Sequence, residues 1–376
     1  MKKQANLNSG NYHSKNQLFE AFIKLYKTCN MKKLIIFIIF CLSAVYIQAQ
    51  SDFDMAQQKK KADLAYNKGV NLLTSGQYQM AISSFNECIQ LNNKHALAYL
   101  QRAKAKFEMN DRKTVEDDLQ TSIKLNDKLG EAYFYLAYFQ LIKDTASVKL
   151  DNFDKAIANG FTIPEVYYYR GVSRLFKKDT LGAQSDFSMA IDKRPTYALS
   201  YFDRGRVKLM NKDFAGAIYD FKQALRLDTS LIAAYNNLAY AKIQTTDYQG
   251  ALADLNKLMN LQPKNFIAIN NRGIAKYYLN DFDGAMEDFL KSIELKNDYA
   301  PAYVNVGNTL SKKGDSKNAI ERYNKALQLN DKLVDAYIDR GISKELVGDI
   351  DGACSDWKTA QSLGSKDANQ YVNECK

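Results

Sequence analysis

One unit of 34 residues, repeated without a gap, decides what this chain can fold into. The stretch Ala198–Leu231 holds two segments with helical apolar spacing, Ala198–Met210 and Ala215–Leu227, split by Asn211-Lys212-Asp213. The same plan recurs before and after it. Nine consecutive units run 62–95, 96–129, 130–163, 164–197, 198–231, 232–265, 266–299, 300–333 and 334–367. A chain built from one supersecondary unit stacks into an array, because a single unit cannot bury its own apolar faces. The expectation is an all-α chain, and its four prolines fit that expectation.

Numbering each unit 1 to 34 exposes a register of small against large. Position 8 is Gly or Ala, with Gly171, Gly205, Gly273, Gly307 and Gly341 among them. Position 24 is large, as in Phe187, Phe221, Phe289 and Trp357. Position 4 is mostly Tyr and position 20 mostly Ala, with Lys149 in the degenerate third unit as an exception. Small residues where two helices must touch, with bulky ones opposite, are what interlocking helix surfaces require. Asp213, Asp247, Asp281, Asp315 and Asp349 stand where a short side chain can cap the second helix. Five units carry Arg at position 7, and all five carry Asp at position 23, from Arg102 with Asp118 to Arg340 with Asp356. That co-occurrence points to an ion pair between the two helices of a unit, a structural role. Asp254 has no such Arg and stands as an exception.

The N-terminus does not share the repeat. Met31-Lys32-Lys33 precedes the apolar run Leu34–Tyr46, and small and polar residues follow through Gln50 and Ser51. A basic start, a short apolar run and a small-residue end read as a secretory signal peptide over 31–50. The competing reading is a retained membrane anchor. Residues 1–30 form a non-repeat extension, read as preceding the true start at Met31. Residues 51–61 are a charged lead-in, and 368–376 a short closing helix whose Tyr371 and Val372 cover Trp357.

Charge argues against nucleic acid. The formal net charge is +10, but residues 1–50 hold seven Lys and one Glu, leaving 45 basic against 41 acidic residues in the rest. That balance is a poor phosphate-binding surface. Five cysteines without a CxxC, and only His13 and His95 beside them, give no closely spaced metal ligands. Cys88 takes a position where other units have Ala, which suits a small buried residue. Cys354 and Cys375 can pair in an oxidising compartment, although spacing alone does not establish it.

The period of 34, with Tyr at 4, Gly or Ala at 8, an aromatic at 17, Ala at 20, an aromatic at 24, Ala at 27 and an occasional Pro at 32, resembles the tetratricopeptide repeat family. The resemblance covers about 306 of 376 residues. It implies a right-handed α-solenoid, a superhelix of antiparallel helix pairs whose first helices line a concave groove. Units six to eight, with AYNNLAY and AYVNVGN, look most like the arrays of O-linked glycosyl-transferring proteins, without a counterpart to their catalytic domain. The resemblance places Tyr138, Tyr168, Phe176, Phe202, Tyr240, Tyr277 and Tyr278 on an apolar inner wall. It also implies that Asn237, Asn271 and Asn305, at position 6 of consecutive units, form a ladder holding the backbone of an extended peptide. An amide suits that task, since it offers a donor and an acceptor to a peptide bond and ignores side chains.

No nucleophile with its base, no paired catalytic carboxylates and no phosphate loop can be picked out, so an enzyme is disfavoured. The expectation is an exported, non-catalytic scaffold that needs no cofactor and binds a protein or peptide in its groove. A membrane-anchored factor for envelope protein assembly is the alternative.

Overall fold

The computed structural model describes residues 20–21, 23–24, 31–144 and 149–375. The rest of the 1–30 extension, and Lys376 at the end of the closing segment, lie outside the described residues. Nineteen helices and no strand lie among the described residues from 31 onward. The chain forms two compact units, residues 1–136 and 137–376.

In the first unit, α1 (Met31–Thr74) is followed by α2 (Tyr78–Leu91), α3 (Ala96–Glu108) and α4 (Val115–Leu125), with α5 (Gly130–Lys143) after them. Segments 31–50 and 51–61 and the first repeat helix are thus one continuous helix. Its physical cause is plain in the sequence: residues 31–68 contain neither Pro nor Gly. Its C-terminal part packs. Ala62 and Ala65 join Cys88 and Ala98 in a buried cluster, and Phe85 packs with Ala81 and Ala105. The apolar part from Ile35 to Ile47 is largely exposed.

The second unit alternates first and second helices: α6 (Leu150–Ala158), α7 (Pro164–Phe176), α8 (Thr180–Lys193), α9 (Ala198–Met210), α10 (Phe214–Leu227), α11 (Ile232–Gln244) and α12 (Tyr248–Leu261). α13 (Phe266–Tyr278), α14 (Phe282–Leu295), α15 (Ala300–Lys312), α16 (Ser316–Leu329), α17 (Val334–Leu346), α18 (Ile350–Ser362) and the short α19 (Ala368–Val372) complete it. Each first helix packs on its own second helix through the small position 8. A Cβ added to Gly205 would stand 2.8 Å from a ring carbon of Phe221, and one on Gly171 2.8 Å from Phe187. Gly273 meets Phe289 and Gly307 meets Tyr323 at 2.6 Å in the same way, while Gly341 meets the Trp357 indole. The pairing is selective: Gly faces an aromatic ring, whereas Ala103 and Ala239 share units with the smaller Leu119 and Leu255. Ala137 and Phe153, in the third repeat, depart from the rule. There α6 begins only after Lys149 and ends before Asn159, with Gly160 at φ 83°.

The turn between paired helices places position 15 in the left-handed region in eight repeats, at Gly76, Asn110, Lys178, Lys212, Thr246, Asn280, Gly314 and Gly348. A β-branched residue such as Thr246 pays most for that conformation. The next residue caps the second helix. Asp179, Asp213, Asp247, Asp281 and Asp349 each accept from the N–H of a glycine three residues on, and Asp315 accepts from that of Asn318.

The Arg–Asp pairs form in all five repeats, with guanidinium to carboxylate distances of 2.5–2.7 Å. Two features go beyond a pair. Each Arg also donates to position 25 of the preceding repeat, from Asn86 to Asn324, at 2.6–3.4 Å. Each Asp also takes a cation from position 11, namely Lys106, Arg174, Lys208, Lys276 or Lys344. The exceptional Asp254 is held by the same column, through Lys242 at 2.5 Å. At the C-terminus Tyr371 stacks on Trp357 with centroids 5.0 Å apart, and Cys354 is disulfide-bonded to Cys375.

Candidate functional site

Helices α11, α13 and α15 are the first helices of three consecutive repeats, and they bring five of the expected groove residues to one place. Tyr240, Asn271, Tyr277, Tyr278 and Asn305 line a cavity of about 250 Å³, together with Ile243, Gln244, Ile274, Phe289 and Asn308. The spacing is a consequence of the repeat. Equivalent positions on adjacent first helices fall side by side, so a residue type recurring every 34 positions becomes a row.

The two asparagines are held in a fixed orientation. Asn271 Nδ2 donates to Asn236 Oδ1 at 3.0 Å, and Asn305 Nδ2 donates to Asn270 Oδ1 at 2.9 Å. Each bond runs from position 6 of one repeat to position 5 of the one before. It uses one of the two N–H groups of each carboxamide. One N–H and one oxygen per rung are what a peptide bond needs on each side. The tyrosines form the walls: Tyr277 and Tyr278 meet edge-on at 5.4 Å, and Tyr278 stacks flat on Tyr248 at 4.8 Å. Burial, then the neighbouring Tyr278 and the charge of Asp339, raise the Tyr277 phenol above its ordinary pKa, so it remains a donor at neutral pH.

Two further expected wall residues sit in a second cavity of about 420 Å³ between α7 and α9. Tyr168 and Phe176 line it with Val172, Leu175, Asp203, Arg206 and Met210. Its polar edge is already satisfied, since Tyr168 Oη donates to Asp203 Oδ2 at 2.9 Å and Arg206 Nη1 to Asp203 Oδ1 at 2.8 Å.

The remaining expected residues do not line either cavity. Asn237 is half-buried. Tyr138 packs on Tyr169, centroids 4.4 Å apart, and Phe202 packs towards Phe221 at 6.0 Å with the Arg206 guanidinium over it. The apolar wall is therefore discontinuous. Tyr168, early in its first helix, is buried between neighbours, and so is Ile243 one residue before the end of α11. The last residues of α7 and α13 stay open, with Phe176 59% and Tyr278 53% exposed. Asn308 and Gln244 were missed, although they occupy positions 9 and 13, the same columns that pick out the tyrosines. Among the described residues, no group of three or more His, Cys, Asp and Glu is arranged to hold a metal ion.

Four segments, residues 62–95, 232–265, 268–299 and 300–333, match the tetratricopeptide repeat family. No curated protein matches the chain. Among solved structures, PilW, described as a widely conserved type IV pilus biogenesis factor, is 17% identical and covers 56% of this chain and 98% of its own, with a TM-score of 0.50. YrrB, described as a TPR protein with an unusual peptide-binding site, is 20% identical over 50% of this chain and 97% of its own, with a TM-score of 0.43. PilF of Pseudomonas aeruginosa is 19% identical over 56% of this chain and 97% of its own, with a TM-score of 0.47.

Proposed function

Since the chain is a tetratricopeptide repeat protein, a helical scaffold for protein interactions, we propose that it is non-catalytic and binds an extended peptide segment across α11, α13 and α15. The observation that carries this reading is the single cavity shared by Asn271, Asn305, Tyr240, Tyr277 and Tyr278. Carboxamides at the repeat spacing hold the main chain, and the tyrosine walls take side chains, each ring contributing area at a small entropy cost. Asn237 is the third rung, engaged where the peptide extends beyond the cavity.

The test is a binding titration with peptides selected from a random decapeptide library. Asn271→Ala with Asn305→Ala removes two rungs and should weaken all selected peptides alike, by about tenfold or more. Tyr277→Ala with Tyr278→Ala should weaken them unequally, according to their side chains. Unchanged affinities in both double variants exclude this cavity as the site.

The chain acts outside the cytoplasm in this reading. Support comes from the Lys32-Lys33 start, the exposed apolar run that follows, and the Cys354–Cys375 disulfide, a bond characteristic of oxidising compartments. A second reading, retention of the apolar segment as a membrane anchor, is favoured by the unbroken course of α1 through Gln50. N-terminal sequencing after fractionation separates them: a start near Gln50 or Ser51 means cleavage, and an intact apolar segment in the membrane fraction means an anchor.

A further inference from the structure

We propose that the end of the asparagine ladder is a specificity subsite in which Asp339 receives a Lys or Arg side chain of the bound peptide. The inference rests on the peptide reading above and adds the chemistry of the ligand. Position 6 of five consecutive repeats reads Asp203, Asn237, Asn271, Asn305, Asp339. The ladder therefore has a carboxylate at each end, but the two ends differ. Asp203 is paired with the Arg206 guanidinium and also accepts a hydrogen bond from the Tyr168 hydroxyl.

Asp339 is treated unlike any fully buried aspartate of the repeats. Each of those has an Arg or Lys within 4 Å. Asp339, half-buried on α17, has no such cation among the described residues. Its hydrogen-bond partner is the Asn308 carboxamide, which in the orientation that satisfies its neighbours donates to Asp339 Oδ2 at 3.1 Å and to Tyr323 Oη at 2.6 Å. The groups around it come from four helices: Tyr277 on α13, Asn308 and Lys312 on α15, Tyr323 on α16, and Asp335 one turn back on α17. Lys312 is exposed and lies beyond ion-pair distance of the carboxylate. Burial, then the like charge of Asp335, push Asp339 up to about 6, with the Asn308 donor pulling the other way. A carboxylate kept partly desolvated without a counterion costs stability and gains from any cation brought to it.

The space beside it fits such a cation. A cavity of about 250 Å³ is bounded by Asp339, Tyr277, Asn308, Ser311, Tyr323 and Ile342, with the exposed Lys312 at its edge. Tyr277 and Asn308 belong both to this cavity and to the one containing Asn271 and Asn305, so the two are contiguous. A peptide main chain on the ladder has its next side chain within reach of Asp339. Aromatic faces with a carboxylate at the end select a long basic side chain over an acidic or aliphatic one. The carboxylate repels phosphate groups.

The test uses an array of acetylated decapeptides with one position fixed and the others mixed, probed with the full chain. Wild type should prefer Lys or Arg over Leu, Gln and Glu at one position by about tenfold. Asp339→Asn should lose that preference while total peptide capture persists. Asp339→Lys should reverse it toward Asp and Glu. Thermal melting checks that both variants are folded. Capture without a basic preference, or a basic preference that survives in Asp339→Asn, overturns the subsite and leaves the peptide reading standing. Capture of no peptide by wild type overturns that reading itself.

Discussion

Gly205→Ala tests the packing rule of the array at the scale of one methyl group. The new Cβ would lie 2.8 Å from Phe221 Cε1, 3.0 Å from Cδ1 and 3.1 Å from Cζ, against a comfortable carbon–carbon contact of about 3.5–4.0 Å. Phe221 is fully buried and has nowhere to retreat. Overpacking of this kind costs about 1–3 kcal/mol, while replacing Gly by Ala inside a helix returns about 1 kcal/mol. The net expectation is destabilisation by about 1 kcal/mol. Phe221→Leu alone leaves space beside Gly205 and should cost about 1–2 kcal/mol. The double variant recreates the Ala103/Leu119 and Ala239/Leu255 combinations, so it should recover about 1–2 kcal/mol relative to the sum of the single changes. Urea unfolding followed by circular dichroism at the helix band gives the four corners of the cycle. Additivity within about 0.5 kcal/mol, or a Gly205→Ala variant more stable than wild type, would refute the interlocking register.

Other outcomes follow from the same geometry. Thr246 sits at φ 62°, so Thr246→Gly should stabilise the chain by about 1 kcal/mol in the same urea assay, whereas a β-branched residue at Gly314 should do the opposite. Asp220→Ala strands both Arg204 and Lys208 and should cost about 3 kcal/mol or more, far beyond an exposed ion pair such as Lys291–Glu294. Asp339 has a folded-state pKa raised to about 6, so its cost is absent below the unfolded value near 4, grows as the pH rises through 6, and is constant above. Asp339→Asn should therefore be more stable than wild type at pH 7.5, by about 1–2 kcal/mol after allowance for solvent screening, and match it at pH 4. Preference for basic peptides should fade over the same window as the carboxyl, in its setting of Tyr277, Asn308, Lys312, Tyr323 and Asp335, becomes protonated.

The period of 34 makes the helix pairs readable in the sequence, because each column of the repeat carries one packing role. Position 8 against position 24, and Arg at 7 against Asp at 23, are relations within one unit, and a comparison of columns exposes them. Other relations were harder. The position 11 cations were present as a column from Lys106 to Lys344, but only the crossing of two helices shows that they share the Asp with the Arg. The left-handed turn at position 15 was hidden behind Lys178, Lys212 and Thr246, side chains that do not advertise a positive φ. The groove was half legible. Asn271 and Asn305 were picked out by position, yet their bonds to Asn236 and Asn270 depend on how one repeat rotates against the next. The same rotation decides that Tyr168 is buried while Phe176, eight residues later on the same helix, remains open.

The most direct measurement is a crystal structure of the chain with the tightest decapeptide from the random library. The account predicts an extended main chain bonded to the carboxamides of Asn271 and Asn305, with side chains against Tyr240, Tyr277 and Tyr278. A peptide seated on the second helices α12, α14 and α16, with the cavity between α11, α13 and α15 empty, would contradict it.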